Sequence, residues 1–531
     1  MTTRVRIAGG RGCRGVFATA SEKAALGCVV LMNIADRLRA TAQRLPDKVA
    51  VHVPAQNDRL TYADLDTRVD RAAAAFQELG LLPGDRVGLG LGNSLHFVEA
   101  WYGALRAGLV AVPINTGSTT EEAAHILGDS GARAVVVTEA FHPVLAGLEQ
   151  GLGGLDEVVV VGASTPLAGA RTWRQLLDVS PGAPRPVEVG EDALALLQYK
   201  AGVTGRPKGA MLSHRNLLAN QEQMRQTRLR PLERDVVLCV LPLFHLYALN
   251  VGLALPLACG ASVLLVERFD PVHTIEQVVA HRVSVIIGAP PMYIAWANVP
   301  AIERYDLACV RFAVSTAAPL PRTVSLRFNE ELGIPLWEGY GLTEASPALT
   351  FTASDAPPRP GSVGQPVPGV DLRLVDDHGR RVPEGDLGEV LVRGPNVFSG
   401  YWNAPAATVG VIDSGGWFHT GDIGYLSEGD LFLVDRKSDL IIVSGFNVYP
   451  REVEDVLYRH PKIVEAAVVG ISHPYTGEAV KAVVVLHPGE EATAEEITSF
   501  CGRWMARFKC PEVVEFVSEL PLRARGKGPP P

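Results

Sequence analysis

The segment Leu196-Leu197-Gln198-Tyr199-Lys200-Ala201-Gly202-Val203-Thr204-Gly205-Arg206-Pro207-Lys208-Gly209 decides how the rest of this 531-residue chain is read. An apolar strand runs up to Tyr199. A loop with three glycines and a lysine follows, then a short strand and a helix that Ser213 is placed to cap. Glycines let backbone N–H groups come close to an anion, and Lys208 adds a positive charge. That chemistry suits a polyphosphate. The P-loop NTPase signature is excluded, because the spacing differs and Gly209 stands where Ser or Thr must follow the lysine. Taken alone, an ordinary Gly/Pro turn accounts for the segment equally well.

Outward from this loop, helical and strand periodicities alternate. The pattern predicts helices over 71–79, 96–107 and 274–281, and strands over 85–91, 132–137 and 283–287. The expected fold class is α/β: a large, multilayered N-terminal domain with parallel-rich sheets. Residues 354–370, rich in Pro and Gly, form a loop passage. Gly88, Gly90 and Gly92 fall within a strand pattern and lack the rest of a dinucleotide-binding fingerprint.

Beyond about residue 435 the texture changes. Pro450 sits where a helix starts, with Val453, Val456 and Leu457 on its apolar face. Strands are expected at 466–469, 480–486 and 513–517, with a helix over 494–507. This is a small α+β domain of roughly ninety residues, joined by a hinge. The domain division is therefore 1–31, 32–434 and 435–531.

Bulk composition bounds the function. So long a chain needs more than one core. A formal net charge of -9 leaves no basic excess for nucleic acid. The seven cysteines are scattered, without Cys-x-x-Cys pairs or zinc-ligand spacing, which reads as reduced thiols in a cytoplasmic protein. Arg4, Arg6, Arg11 and Arg14 precede a short apolar run over 24–32, as in a signal peptide. Glu22 and Lys23 interrupt it and no small-residue cleavage site follows. Residues 1–31 are read instead as a disordered or mis-assigned extension, with Met32 as the start and Ile34 and Leu38 on one face of the first helix. Residues 236–266 lack Lys, Arg, Asp and Glu and are long enough to span a bilayer. Pro242, His245, Gly252, Pro256 and Gly260 divide them into strand, turn, helix and strand, so a buried core segment is expected.

Three further segments give the phosphate loop its context: Glu338-Gly339-Tyr340-Gly341-Leu342-Thr343-Glu344; Gly416-Trp417-Phe418-His419-Thr420-Gly421-Asp422; and Asp435-Arg436-Lys437-Ser438-Asp439 running on to Ser444-Gly445-Phe446-Asn447-Val448-Tyr449-Pro450. In this order they resemble the adenylate-forming superfamily of acyl-CoA synthetases, peptide-synthetase adenylation domains and luciferases. The resemblance covers about residues 33–527.

It implies an enzyme, an AMP-forming acid–thiol ligase. A fatty or aryl carboxylate attacks the α-phosphate of ATP, pyrophosphate leaves, and coenzyme A takes the acyl group from acyl-AMP. By the same resemblance, Lys208, Thr204 and Gly205 hold the β- and γ-phosphates, Thr343 binds the α-phosphate, and Glu344 ligates Mg²⁺. Asp422, assisted by Arg436, takes the ribose hydroxyls. Tyr340, between Gly339 and Gly341 and after Glu338, stacks on adenine beside Ala317 and Ala318. Lys527 is the catalytic lysine, Ser438 the hinge, and Ser444, Gly445 and Phe446 the coenzyme A passage. His245 is the gate of the acid pocket, with Leu249, Val251, Leu253, Pro290, Met292 and Ala313 as its apolar surroundings. An apolar pocket favours a fatty or aryl acid over an amino acid.

The sequence departs from the family at Lys200, Ala201 and Val203, which replace three hydroxyl residues, so Lys200 either contacts phosphate or repels the metal. Ser315-Thr316-Ala317-Ala318 replaces a Gly-rich adenine segment, and Arg523 and Gly528-Pro529-Pro530-Pro531 alter the last motif. These departures keep two alternatives open: an acyl-AMP ligase serving a carrier protein, and a weakly active or non-catalytic nucleotide-binding homologue. Peripheral membrane contact and a homodimer also stay open.

Overall fold

The computed structural model describes residues 33–520 except 142–143, 145–153, 163–169, 181, 201–205, 352–356, 437–438, 444–445 and 474–475. The first helix, Ile34–Arg44, starts at a capping box in which the Asn33 side chain accepts from Ala35 N and Asp36 returns to Asn33 N.

Two seven-stranded sheets dominate the N-terminal part. One runs Leu336–Glu338, Phe312–Ser315, Val285–Gly288, Val236–Cys239, Ser262–Leu265, Val49–Val53 and Asp58–Thr61, parallel except at its last pair. The other runs Arg171–Thr172, Glu157–Val161, Ala132–Thr138, Arg86–Gly90, Val110–Pro113, Leu194–Lys200 and Lys208–Ser213. It too is parallel until its final hairpin. Helices Tyr62–Glu78 and Leu95–Arg106 join one continuous core with Val51 and Val263 of the first sheet and Val87 and Leu196 of the second. Parallel strands covered on both faces explain the uninterrupted apolar runs in the sequence. The expected α/β class therefore holds.

Residues 236–266 form a strand, a wide π-type turn at Tyr247–Ala254, a short helix Leu255–Cys259 and a second strand, all in the core. Among the described residues no helix is long and apolar enough to cross a membrane. Ser213 caps helix His214–Arg225 as expected, its hydroxyl accepting from Asn216 N.

Two antiparallel sheets follow, one of Tyr340–Gly341, Ala348–Phe351 and Gln365–Pro366, the other of Asp371–Val375, Gly388–Arg393, Phe418–Ser427 and Asp430–Arg436. The C-terminal part has its own five-stranded sheet, including the hairpin Ile463–His473 and Gly477–Leu486, and its own core around Val453, Leu457, Val480 and Ile497. Helix Pro450–Leu457 begins at its proline. The helix expected over 494–507 stops at Cys501. Gly502 is its C-cap, and Arg503 N and Trp504 N donate three residues back, to Phe500 O at 3.1 Å and Cys501 O at 2.9 Å, so the chain closes in a tighter last turn.

Candidate active site

The hairpin Leu194–Lys200 and Lys208–Ser213 places Lys200 directly opposite Lys208. Like charges facing each other across a strand pair repel. Each ammonium has a local answer. The Lys208 ammonium lies 5.8 Å from the centre of the Tyr401 ring. The Lys200 ammonium lies 2.5 Å from Oε1 of Glu344. Tyr401 donates its hydroxyl to the same oxygen, also at 2.5 Å.

Tyr401 is held there by backbone. Trp402 N donates to Gly209 O at 2.8 Å, Met211 N to Gly400 O at 2.9 Å, and Ser399 N to Met211 O at 3.2 Å. Residues 399–402 thus cover the edge of the second sheet and deliver the ring to Glu344. That carboxylate is fully buried, and its Oε2 has no hydrogen-bond partner among the described residues. Burial and the adjacent carboxylate push the Tyr401 phenol up, so it stays a donor.

Thr343 and Glu344 share one short 3₁₀ turn, Thr343–Ala345. Thr343 lines a cavity of about 370 Å³ together with His245, Ala317, Tyr340 and Gly341. Its wall carries no Lys, Arg, Asp or Glu, and Met224, Leu241, Val251, Ala348 and Phe351 make it apolar. Of the six apolar residues expected around His245, only Val251 lines this cavity. Leu249 and Leu253 are packed into the core because the wide turn at Tyr247–Ala254 aims Tyr247, Ala248 and Val251 inward instead, while Pro290 and Met292 are buried on helix Pro290–Ala297 and Ala313 on strand Phe312–Ser315. His245 is exposed at the cavity, and desolvation by the groups around it lowers its pKa from the ordinary value.

The Tyr340 hydroxyl donates to Oδ2 of Asp422 at 2.5 Å, which ties the cavity to strand Phe418–Ser427. Asp422 is in register with Arg436 on the neighbouring strand. Gly341 is required by close approach: a Cβ there would lie 2.1 Å from Pro347 O. At Gly339 a Cβ would meet the Phe351 ring at 2.8 Å. The Glu338 carboxylate accepts from Gly361 N at 2.9 Å and from Leu320 N at 3.4 Å. Its pKa is raised by burial. Glu338 thereby braces the turn carrying Ala317 and Ala318, both exposed, with Ala317 at φ +75°. Phe446 sits on the C-terminal sheet, exposed, with its ring 5.0 Å from that of Phe508.

Thr204, Gly205, Ser438, Ser444, Gly445 and Lys527 lie outside the described residues. Sequence reasoning missed Tyr401 and the pairing of Lys200 with Glu344. Tyr401 comes from a loop 57 residues beyond Glu344 and carries no motif of its own. The one available signal was the departure at Lys200.

Magnesium ions favour carboxylates that still carry their charge toward the ion. Oε1 of Glu344 is already engaged by the Lys200 ammonium and by the Tyr401 hydroxyl. In this arrangement the site does not fit a resident divalent ion.

Comparison with known proteins agrees with the geometry. Residues 38–402 match the AMP-binding enzyme family, and residues 452–527 match the AMP-binding enzyme C-terminal domain. A long-chain-fatty-acid–CoA ligase of Bacillus subtilis (strain 168) is 34% identical, covering 92% of each chain. A feruloyl-CoA synthase of an Amycolatopsis species is 37% identical over 88% of this chain and 92% of its own. The crystal structure of ATP-bound MatB from Rhodopseudomonas palustris superposes with a TM-score of 0.84 at 32% identity, covering 92% of this chain and 95% of that one. The chain is thus an AMP-forming acid–thiol ligase and belongs to the family of AMP-binding, adenylate-forming enzymes.

Proposed function

We propose that this chain activates an apolar carboxylic acid, fatty or aryl, with ATP and then transfers the acyl group to coenzyme A. The observation that carries this reading is the uncharged cavity lined by Thr343 and by Tyr340, whose hydroxyl bonds Asp422 outside the lining. It offers no carboxylate for an amino acid's ammonium and no cation for a second acid group. Fatty-acid and feruloyl ligases among the relatives support the same substrate class.

In this reading the acid's carboxylate oxygen attacks the α-phosphorus and the bond to pyrophosphate breaks. Negative charge grows on the leaving pyrophosphate, and Lys208 stands ready to meet it. Thr343 donates its hydroxyl to the α-phosphate, and Asp422 accepts from the ribose. The neutral His245 closes the cavity against water without adding charge. The thiol of coenzyme A then attacks the acyl carbon and AMP leaves. Residues 32–434 form the body that binds acid and nucleotide. Residues 435–531 move about Ser438 and bring Lys527, then the passage at Ser444, Gly445 and Phe446, to the reaction. Magnesium arrives on the phosphates of ATP as part of the substrate, and the enzyme works in the cytoplasm on small molecules.

The test is pyrophosphate release across a panel of fatty, aryl and amino acids, with and without coenzyme A. Release that depends on an apolar acid, followed by thioester, is the expected result. Release with amino acids alone, or acyl-AMP that never reaches coenzyme A, overturns the reading.

A further inference from the structure

We infer that the Lys200 ammonium is a tethered cation of the phosphate site, holding the place of a divalent ion at Glu344, so that nucleotide binding depends little on divalent metal. This rests on the reading of the site as an ATP site. Lys200 is the last residue of a strand, and its position is fixed by pairing with Lys208 rather than by a loose turn. Its ammonium is in contact with a carboxylate that is entirely buried. Tyr401 holds the same oxygen, so the carboxylate is oriented from two sides.

Oε2 of Glu344 has no hydrogen-bond partner among the described residues but is closed off from solvent, so a divalent ion reaches this carboxylate by displacing the ammonium at Oε1, and it must shed water to do so. The displaced lysine would then face the ion and Lys208 together, three positive centres around one carboxylate. Keeping the ammonium in place costs nothing further, since a buried carboxylate stripped of its partner is strongly disfavoured. The Lys200 side chain is nevertheless 38% exposed, unlike Glu344 at 0%. One side of the ammonium therefore faces outward, beside Lys208, where phosphate oxygens can be received. An ammonium has three donors, and Glu344 uses one direction only.

The experiment titrates α,β-methylene ATP into the full chain by calorimetry, with magnesium chloride or with EDTA, and follows Mn²⁺ in the nucleotide complex by electron paramagnetic resonance. The native chain is expected to bind the analogue within about threefold as tightly without metal as with it. Lys200→Thr is expected to lose roughly tenfold or more of the metal-free affinity, regain it with magnesium, and immobilise Mn²⁺. Lys200→Arg, which keeps the charge, is expected to behave as the native chain. Native binding that needs metal by more than about tenfold, with Lys200→Thr leaving that ratio unchanged, overturns this inference alone. If Lys200→Thr does not fold, the metal ratio of the native and Lys200→Arg chains decides. No binding by the native chain under either condition overturns the ATP reading and this inference with it.

Discussion

At Ala317 the backbone sits at φ +75°, where a Cβ is crowded against the following carbonyl. Glycine carries no such penalty, and the family's usual Gly-rich adenine segment has a steric reason that this chain ignores. Ala317→Gly is expected to stabilise the protein by about 0.5–1 kcal/mol, the strain relieved exceeding the added freedom of the unfolded chain. Chemical denaturation measures it, and a lower midpoint would refute the argument. Gly341 is the opposite case. Gly341→Ala drives a Cβ into Pro347 O and shifts Thr343, two residues on. A displacement of about 1 Å at a reacting group costs about 100-fold in rate, so acid-dependent pyrophosphate release is expected to fall by that order. A variant with near-native release would show that the turn can yield.

Among the elements, the helix Ile34–Arg44 meets the helix His214–Arg225 at the ion pair of Arg37 with Glu222, 3.6 Å, and at Nδ1 of His214, which takes the Ile34 N–H at 3.3 Å. The ring is fully buried, and burial pushes its pKa down from 6.5 to about 4. A proton on Nδ1 removes the acceptor and places charge at a helix N-terminus. The folded pKa is the depressed one, so the contribution is whole above 6.5 and is lost as pH falls from there toward 4. It amounts to at most about 3 kcal/mol. The expected outcome is a Tm that declines over that window, with a shallower decline in His214→Asn, whose amide oxygen accepts without titrating. Equal slopes in both chains would assign the decline elsewhere.

The elements also show what a sequence can disclose. Ser213 and Pro450 announce their helices by chemistry local to the first turn, and both helices start there. The end of the helix expected at 507 was misread because apolar Trp504, Met505 and Phe508 continue a helical period; the chain instead closes in a tighter turn after Gly502. The resemblance sets Leu249 and Leu253 around His245, but their apolar character cannot distinguish a core wall from a pocket wall, and both are in the core. Only the register of the wide turn at Tyr247–Ala254 separates them. The contact of Lys200 with Glu344 spans two distant motifs, and nothing in either encodes the distance between them.

For the molecule as a whole, the two cores are separate clusters, one built on the large sheets and one around Val453, Val480 and Ile497. Among the contacts that link them, Arg451 Nη1 donates to Leu433 O at 2.6 Å and Arg451 N to Asp435 Oδ2 at 3.1 Å. Two cores that share no cluster among the described residues are expected to unfold in separate steps. Calorimetry is expected to show a second transition of about 60 kcal/mol, from about 0.7 kcal/mol for each of some eighty residues. A single transition that persists in Arg451→Ala would mean that the two parts unfold as one. Restoring the phosphate loop with Lys200→Thr, Ala201→Ser and Val203→Thr is expected to raise pyrophosphate release in the presence of magnesium. Removing one preorganised donor costs about 2.7–4 kcal/mol in comparable sites, so unchanged rates would show that this chain has replaced those donors.

Residues 399–402 have a double duty with a dynamic consequence. An edge strand left bare invites pairing with another chain, and this short crossing denies that opportunity. Because the same crossing supports Tyr401, a guest pressing on the lysines also tightens the seam. Deuterium uptake at the amides of Met211, Ser399 and Trp402 is therefore expected to track occupancy, slowing when the guest arrives and quickening when it departs.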